Sequence, residues 1–412
     1  MSVSFTCRGH PGIAGTHDKT LELTRAREVT RRATCVLGVA SDHDDRGLLA
    51  LRGRIEVTLE CAGLRDSFAA NLSPFFLGDD SLVFRRGPGL RGRTFAYDAT
   101  KTAADVDRAL VNALTDPDAE LHVTVRATRR GRVRGVLFVV AVPIGNDDDL
   151  SPRARRVLEA ADVVLAEDTR RFRDLSTRVR LHTDARVESL HEHNEERRAD
   201  DALVALRGGS RVALVSDAGT PLCSDPGYVI VQRAIDDGVD VTPVPGPSSL
   251  LAVLSVAGVP VDRFAYVGFL PRRAAARQAQ LRALVDGGTT FVCHEAPHRV
   301  HALLGALAMI CPGWDVCVGR EVTKVFEEFR RGPAAELAAE LATEEPRGEF
   351  TVAVGPPRGR PAHVADDVDD RLVRALLEQG VTPKTVASAL AALPGVSRSR
   401  AYARVLAIAR DR

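Results

Sequence analysis

Between residues 136 and 356, short and mostly apolar runs alternate with stretches of helical period. VLFVVAV (136–142), DVVLA (162–166), RVALVS (211–216) and DVTPV (240–244) have no polar face, whereas SPRARRVLEAA and GYVIVQRAIDDG between them are amphipathic. Strands apolar on both sides must be covered on both sides, which predicts a parallel sheet flanked by helices. Ser151 followed by Pro152 predicts an N-cap and a first helical residue. After PGPSSLLAVLSVAGV the rhythm resumes with FAYVGFLP, TTFVCHE, DVCVGRE and EFTVAVG, predicting a second α/β domain.

The flanks read differently. IEVTLEC (55–61), LVF (82–84), TFAY (94–97) and LHVTVRAT (121–128) predict a strand-rich start, with one helix over Ala103–Leu114 from the spacing of Val106, Leu110 and Leu114. Basic RRGRVRG (129–135) reads as a boundary, and PPRGRPAHVADDVDD (356–370) as a polar linker. Three capped helical patterns follow, ending in a helix with Arg398, Arg400, Arg404, Arg410 and Arg412, either a solvated face or an RNA contact. The expected division is 1–132, 136–245, 246–356, a linker at 357–368 and a helix-turn-helix-like tail at 369–412.

Composition narrows the classes. No apolar run approaches about 18 residues and the start, MSVSFTCRGH, lacks a signal core, so a cytoplasmic protein is expected, with no membrane partner. Seven scattered cysteines without a C-x-x-C pair disfavour a disulfide framework or a zinc ribbon. A net charge of +1 gives no global pull toward nucleic acid, so any basic surface is local. His191 and His193 alternate as on one face of a strand, and His294, His298 and His301 have near-helical spacing, but no metal is expected.

Candidate chemistry lies where the strands end: PIGNDDDLSP (143–152), AEDTRRF (166–172), SDAGTPLCSDPG (216–227) and PGPSS (245–249) concentrate Gly, Pro, Ser and Asp. In a parallel sheet such loops border the ligand crevice. No G-x-G-x-x-G follows a strand, and neither a phosphate-binding G-x-x-x-x-G-K-[ST] nor a hydrolase G-x-S-x-G occurs.

VAVPIGNDDDLSPRA, AEDTR, HEHNE, SDAGTPLCSDPGY, PVPGPSS, GFLPR, EAPHR and GREVTK fall in one order over 136–356. Together they closely resemble the ribosomal RNA small-subunit methyltransferase I family of the tetrapyrrole methylase superfamily. The resemblance implies two α/β domains; the flanks add a β-rich α+β N-terminal domain before them and a small helical appendage after. It implies S-adenosyl-L-methionine as cofactor, a decoding-region cytidine ribose 2'-hydroxyl as acceptor, the small ribosomal subunit or its RNA as partner, and a homodimer. Methylation of a tetrapyrrole, another small molecule or a protein is the alternative within the superfamily; a non-catalytic module binding cofactor and RNA is the alternative outside it.

By the same resemblance, Asp217, Ala218 and Gly219 cradle the methionine end of the cofactor, with Pro143, Pro247, Ser248 and Ser249 beside it. Phe269, Leu270 and Ala296 come from the second domain; Ala296 departs from the family's usual serine in EAPHR. A ribose hydroxyl is a poor acid and needs a proton acceptor, for which Glu167, Asp168, His193, Glu321 and Lys324 stay open. Arg170, Arg171, Arg272, Arg273 and Arg299 are the candidate RNA-phosphate holders. At the N-terminus, RGHPGIAGTHDKTLELT (8–24) resembles a small uncharacterised, mainly archaeal family, and His10, His17 and Asp18 form either a site or, with Gly9, Pro11 and Gly15, a turn.

Overall fold

A computed structural model describes residues 1–30, 32–89, 93–128, 134–357, 370–391 and 398–410. Most of RRGRVRG, residues 358–368 of the expected linker, and Arg412 lie outside them, as do the side chains of Arg398 and Arg400. The chain divides into two compact units, Met1–Ser249 with Thr323–Val325, and Leu250–Val322 with Phe326–Arg412.

The first unit holds two sheets. Its eight-stranded sheet includes Arg54–Cys61, in which Ile55, Val57, Leu59 and Cys61 are buried and the residues between them are not. That alternation is what one covered face requires. Phe68, Phe84, Phe95 and Phe76 stack edge-to-face behind it with centroids 5.1, 5.3 and 4.9 Å apart in turn. The single helix expected over Ala103–Leu114 is instead a 3-10 turn, Ala103–Asp105, and a helix, Arg108–Ala113. Two caps compete there: Asp105 closes a capping box on Thr102, and Asp107 caps the second segment by accepting from the Ala109 amide at 2.7 Å.

The five-stranded sheet runs in the order Arg186–Ser189, Val163–Ala166, Arg211–Val215, Val136–Val140, Asp240–Val244, with every pairing parallel. Phe138, Val140, Val164 and Ala213 enter one core, while Leu137, Val163, Leu165 and Leu214 enter another on the opposite face. Two-sided burial explains why these strands lack polar alternation. Ser151 caps the helix Pro152–Ala160 through the Ala154 amide at 3.0 Å. The charged stretch after DVVLA is also a helix, Thr169–Arg178, with only Phe172 and Leu175 buried. His191 and His193 lie in a turn after the short strand Arg186–Ser189, not on a strand face.

The two sheets of this unit are joined by a buried cation. Arg211 donates to the carbonyls of Pro74 and Leu49 at 3.2 and 3.0 Å, and its amide donates to Asp162 at 2.7 Å, while Asp162 also pairs with Arg52. Phe75 meets Phe138 edge-on at 6.1 Å.

In the second unit, Phe264–Phe269 pairs parallel with Thr290–Glu295, and the remaining pairings, through Phe350–Gly355, Asp315–Arg320 and Glu328–Pro333, are antiparallel. Glu328–Pro333, EFRRGP, has no apolar alternation and gave no strand signal. His294 belongs to a strand here and His298 and His301 to the helix Pro297–Ile310, so His294 is not on the helical face that His298 and His301 share. Three helices, Asp370–Glu378, Pro383–Ala391 and Arg398–Arg410, close on a core that includes Val373, Leu377, Val386, Leu390, Val405 and Ile408.

Candidate functional site

Beyond the carboxyl ends of the parallel strands, the Gly- and Asp-rich loops interlock. Val142 and Gly219 exchange backbone hydrogen bonds of 2.9 and 3.0 Å, joining the first loop to the third. Thr220 donates to the Pro247 carbonyl at 3.0 Å, joining the third to the fourth. Asp217 accepts from the Asp168 amide at 3.0 Å and faces the Arg171 guanidinium at 3.3 Å, joining the third to the second. Gly219 and Gly227 have φ of +78° and +127°, and the non-glycine residues Leu222 and Ser224 have +71° and +77°. Left-handed backbone at two side-chain-bearing residues costs energy that the interlocked frame sustains, a pattern concentrated at functional loops.

This frame couples Glu167 to Asp217, and Asp225 to Glu167, Asp217 and Ser216. Burial raises Asp225 to about 7, helped by the charges of Glu167 and Asp217 and opposed by a hydrogen bond from Ser216. Burial and the Asp217 charge also raise Glu167. Asp168 goes the other way: Arg170, bonded to it at 2.7 and 3.1 Å, holds its carboxyl far below the usual range. Asp168 is also the N-cap of Thr169–Arg178, accepting from the Arg170 amide at 2.8 Å. A firmly ionised cap is a poor proton acceptor, whereas a half-buried carboxyl raised by its neighbours is a good one. Asp225 was not among the candidate bases read from the sequence; its signal is a second acid in the same strand-end loop.

The other candidates separate. Lys324 belongs to the first unit: a Cβ on Gly145 would lie 2.3 Å from its Cγ, and Thr323 accepts from the Asn146 amide at 3.1 Å. Glu321 belongs to the second unit, accepts from the Glu349 amide at 2.8 Å and fills the space over Gly348, so it holds a turn rather than standing ready for a proton. His193 is exposed beside the ring of His191. Pro143 is buried at the root of its loop, Ala218 is exposed at the crest, and Ser248 precedes the helix that begins at Ser249.

In the second unit Phe269 is 57% exposed and its ring lies 5.8 Å from that of His294, while Leu270 is buried. Ala296 caps Pro297–Ile310 without a side-chain bond, as its missing hydroxyl requires. Arg170, Arg171, Arg272 and Arg273 are exposed. Arg299, expected to hold phosphate, turns inward: it pairs with buried Glu295 at 3.0 Å and donates to the Leu270 carbonyl at 2.6 Å. A guanidinium so engaged anchors the chain. At the N-terminus, His17 Nδ1 accepts from the Thr20 amide at 3.1 Å and His10 Nδ1 from the Gly12 amide at 2.9 Å, which makes the first glycine-rich stretch a turn. Among the described residues no group of three metal-ligating side chains converges.

Residues 136–338 match the family described as Tetrapyrrole (Corrin/Porphyrin) Methylases, and residues 5–128 match a domain of unknown function, DUF371. The chain is 42% identical over 275 residues to a ribosomal RNA small subunit methyltransferase I of Micromonospora olivasterospora, covering 66% of this chain and 86% of that one. To the protein of the same name from Xylella fastidiosa (strain Temecula1) it is 40% identical over 271 residues, covering 65% and 98%. Among solved structures, a uroporphyrin-III C-methyl transferase from Thermus thermophilus complexed with S-adenyl homocysteine has 23% identity and a TM-score of 0.39, covering 53% of this chain and 96% of that one. That likeness is too coarse to bear on the site.

Proposed function

This chain belongs to the ribosomal RNA small subunit methyltransferase I family, and from that premise we propose that it methylates the 2'-oxygen of a cytidine ribose in the decoding region of small-subunit ribosomal RNA. It is an S-adenosyl-L-methionine-dependent methyltransferase of ribosomal RNA. The observation that carries the reading is the interlocked crevice: loops of the sequence order the family shares meet at the strand ends through Val142, Gly219, Asp217 and Asp168.

The donor set suits the cofactor. Glu167 and Asp225 are raised, first by burial and then by the like-charge strain with Asp217, which has the Arg171 guanidinium beside it. A ligand carrying an ammonium and a sulfonium relieves that strain. Asp217, Ala218 and Gly219 would hold its methionine end, bordered by Pro143, Pro247, Ser248 and Ser249. When bound, the cofactor supplies a methyl carbon open to in-line attack.

The protein's own work is then to orient the ribose and take its proton. Glu167, half-buried and raised by burial and by the Asp217 charge, accepts the hydroxyl proton. Lys324, resting on Gly145, holds a phosphate of the acceptor strand. Arg170 extends that hold, residues 1–132 act as an accessory domain, and the enzyme works as a cytoplasmic homodimer. Among the described residues no helix is long and apolar enough to cross a membrane.

The test is transfer of labelled methyl to small ribosomal subunits lacking the modification, followed by nuclease mapping. Label on a decoding-region cytidine ribose supports the reading. Label on another nucleotide, or none despite cofactor binding, overturns it.

A further inference from the structure

The first unit contains an open cavity of about 1070 Å³ whose walls come from the two matched segments, residues 5–128 and 136–338. It exceeds the roughly 300–1,000 Å³ of a small-molecule pocket. One wall is the end of the eight-stranded sheet, with Arg46, Phe75 and Arg93; the other is the helix Pro152–Ala160, with Arg153 and Arg156. The strand-end crevice uses none of these residues.

Six arginines and six carboxylates line the walls, so the cavity is formally neutral, but the pairing leaves two of the arginines over. Asp45 and Asp80 face Arg25 at 3.3 and 3.7 Å. Asp79 faces Arg93 at 3.3 Å, Asp184 faces Arg46 at 3.7 Å, and Asp162 pairs with Arg52. Glu159 is met from its own helix by Arg155 at 3.8 Å. Every carboxylate of the cavity thus has a guanidinium, and Arg153 and Arg156 have no acidic partner among the described residues. They sit three apart, so they share a helix face and are exposed.

Two exposed pairs add to these two arginines. Arg46 and Arg93 are 79% and 63% exposed, and ion pairs so solvated hold weakly, so both guanidinium groups can turn to a stronger anion. Phe75 is only partly buried and His182 is exposed, offering ring surface among the cations. Arginines spaced along a wide cleft with rings between them suit a phosphodiester chain with unstacked bases. The cleft is also built to keep its width, because the buried Arg211 fastens its two walls together.

We propose that this cleft is a second RNA-binding site, which holds a single-stranded segment of the ribosomal RNA substrate away from the methyl-transfer crevice. Arg153 and Arg156 contact its phosphates. The proposal rests on the ribosomal RNA reading above and gives the N-terminal segment a physical role: it supplies half of a substrate groove.

The experiment uses the full chain and the double variant Arg153→Glu/Arg156→Glu. Binding of a fluorescent single-stranded RNA of the decoding region is followed by anisotropy across a salt series, with cofactor calorimetry as the folding control. The variant should bind the RNA about tenfold more weakly, and its salt slope should fall by about 1.4, the value for two lost single-strand phosphate contacts, while cofactor affinity holds. Unchanged RNA affinity and slope with intact cofactor binding overturn the proposal. So does a cleft that takes inorganic pyrophosphate through Arg153 and Arg156 but leaves RNA binding alone, which marks a small-anion site. If cofactor binding is also lost, single charge-neutral variants, Arg153→Gln and Arg156→Gln, repeat the measurement. The methyl-transfer assay fails or succeeds independently: wild-type transfer with an unaltered variant slope sinks the cleft and spares the function, whereas RNA binding through the cleft without transfer does the reverse.

Discussion

The guanidinium of Arg211 donates to the carbonyl of Leu49 at 3.0 Å, from the third strand of the parallel sheet to the helix end beside the eight-stranded one. Arg211 is 5% exposed, and burial next to Arg52 pushes its pKa down to about 10, so it stays charged at neutral pH. Removing the guanidinium strands the Pro74 carbonyl and takes one donor from the Leu49 carbonyl, which keeps Arg52, while the backbone amide of residue 211 still donates to Asp162. Arg211→Met should lower stability by about 3 kcal/mol. In hydrogen exchange, amides of both sheets should lose protection together; loss in one sheet alone would mean that the cation does not couple them.

Asp225 works against stability at neutral pH. Its folded pKa, about 7, lies above its ordinary 3.8, so the native state binds its proton more tightly than the unfolded chain does. This contribution is fully present below about pH 4 and disappears as pH rises toward 7. Asp225→Asn should therefore melt higher than the wild type at pH 8 and the same at pH 4. Equal melting at both values would place the carboxyl in a more solvated setting.

Cofactor binding should release protons. A cationic ligand favours the ionised forms of Glu167 and Asp225, both raised in the free protein. Affinity for S-adenosyl-L-methionine should rise as pH approaches 7, and calorimetry in buffers of different ionisation enthalpy should show net proton release. The Asp225→Asn variant should release fewer. Proton-neutral binding in the wild type would remove the acids from the cofactor's surroundings.

Glu167→Gln keeps the shape and loses the base. At saturating cofactor, methyl transfer should fall by about 10²–10⁴ in kcat, and the acidic limb of the pH profile should vanish. A rate within a factor of a few of the wild type would return the assignment to Lys324.

Gly145 offers a test of Lys324. An alanine Cβ there would lie 2.3 Å from Lys324 Cγ, 2.9 Å from Thr323 Oγ1 and 3.2 Å from the Lys324 backbone nitrogen, so the Thr323–Lys324 segment must shift. Gly145→Ala should raise the KM for small subunits and lower stability by about 1–3 kcal/mol. A lower melting temperature with normal KM would make the contact structural.

The sequence by itself determined the parallel sheet, its covering helices and the loops at the strand ends. Unbroken apolar runs admit only two-sided burial, and Gly, Pro and Asp at the ends admit only turns. Ser151 was legible for the same local reason: a cap acts within three residues of itself. Local reading erred where two caps competed, at Thr102 and Asp107, and where a strand carried no alternation, at Glu328–Pro333. Only the tertiary structure decided which of the candidate acids are raised and which arginines are spent. Glu167 and Asp225 are 58 positions apart in the chain, Arg211 and Leu49 162 apart, and Arg299 found Leu270 29 positions away. Desolvation and charge coupling depend on distance through space, and no periodicity along the chain encodes that.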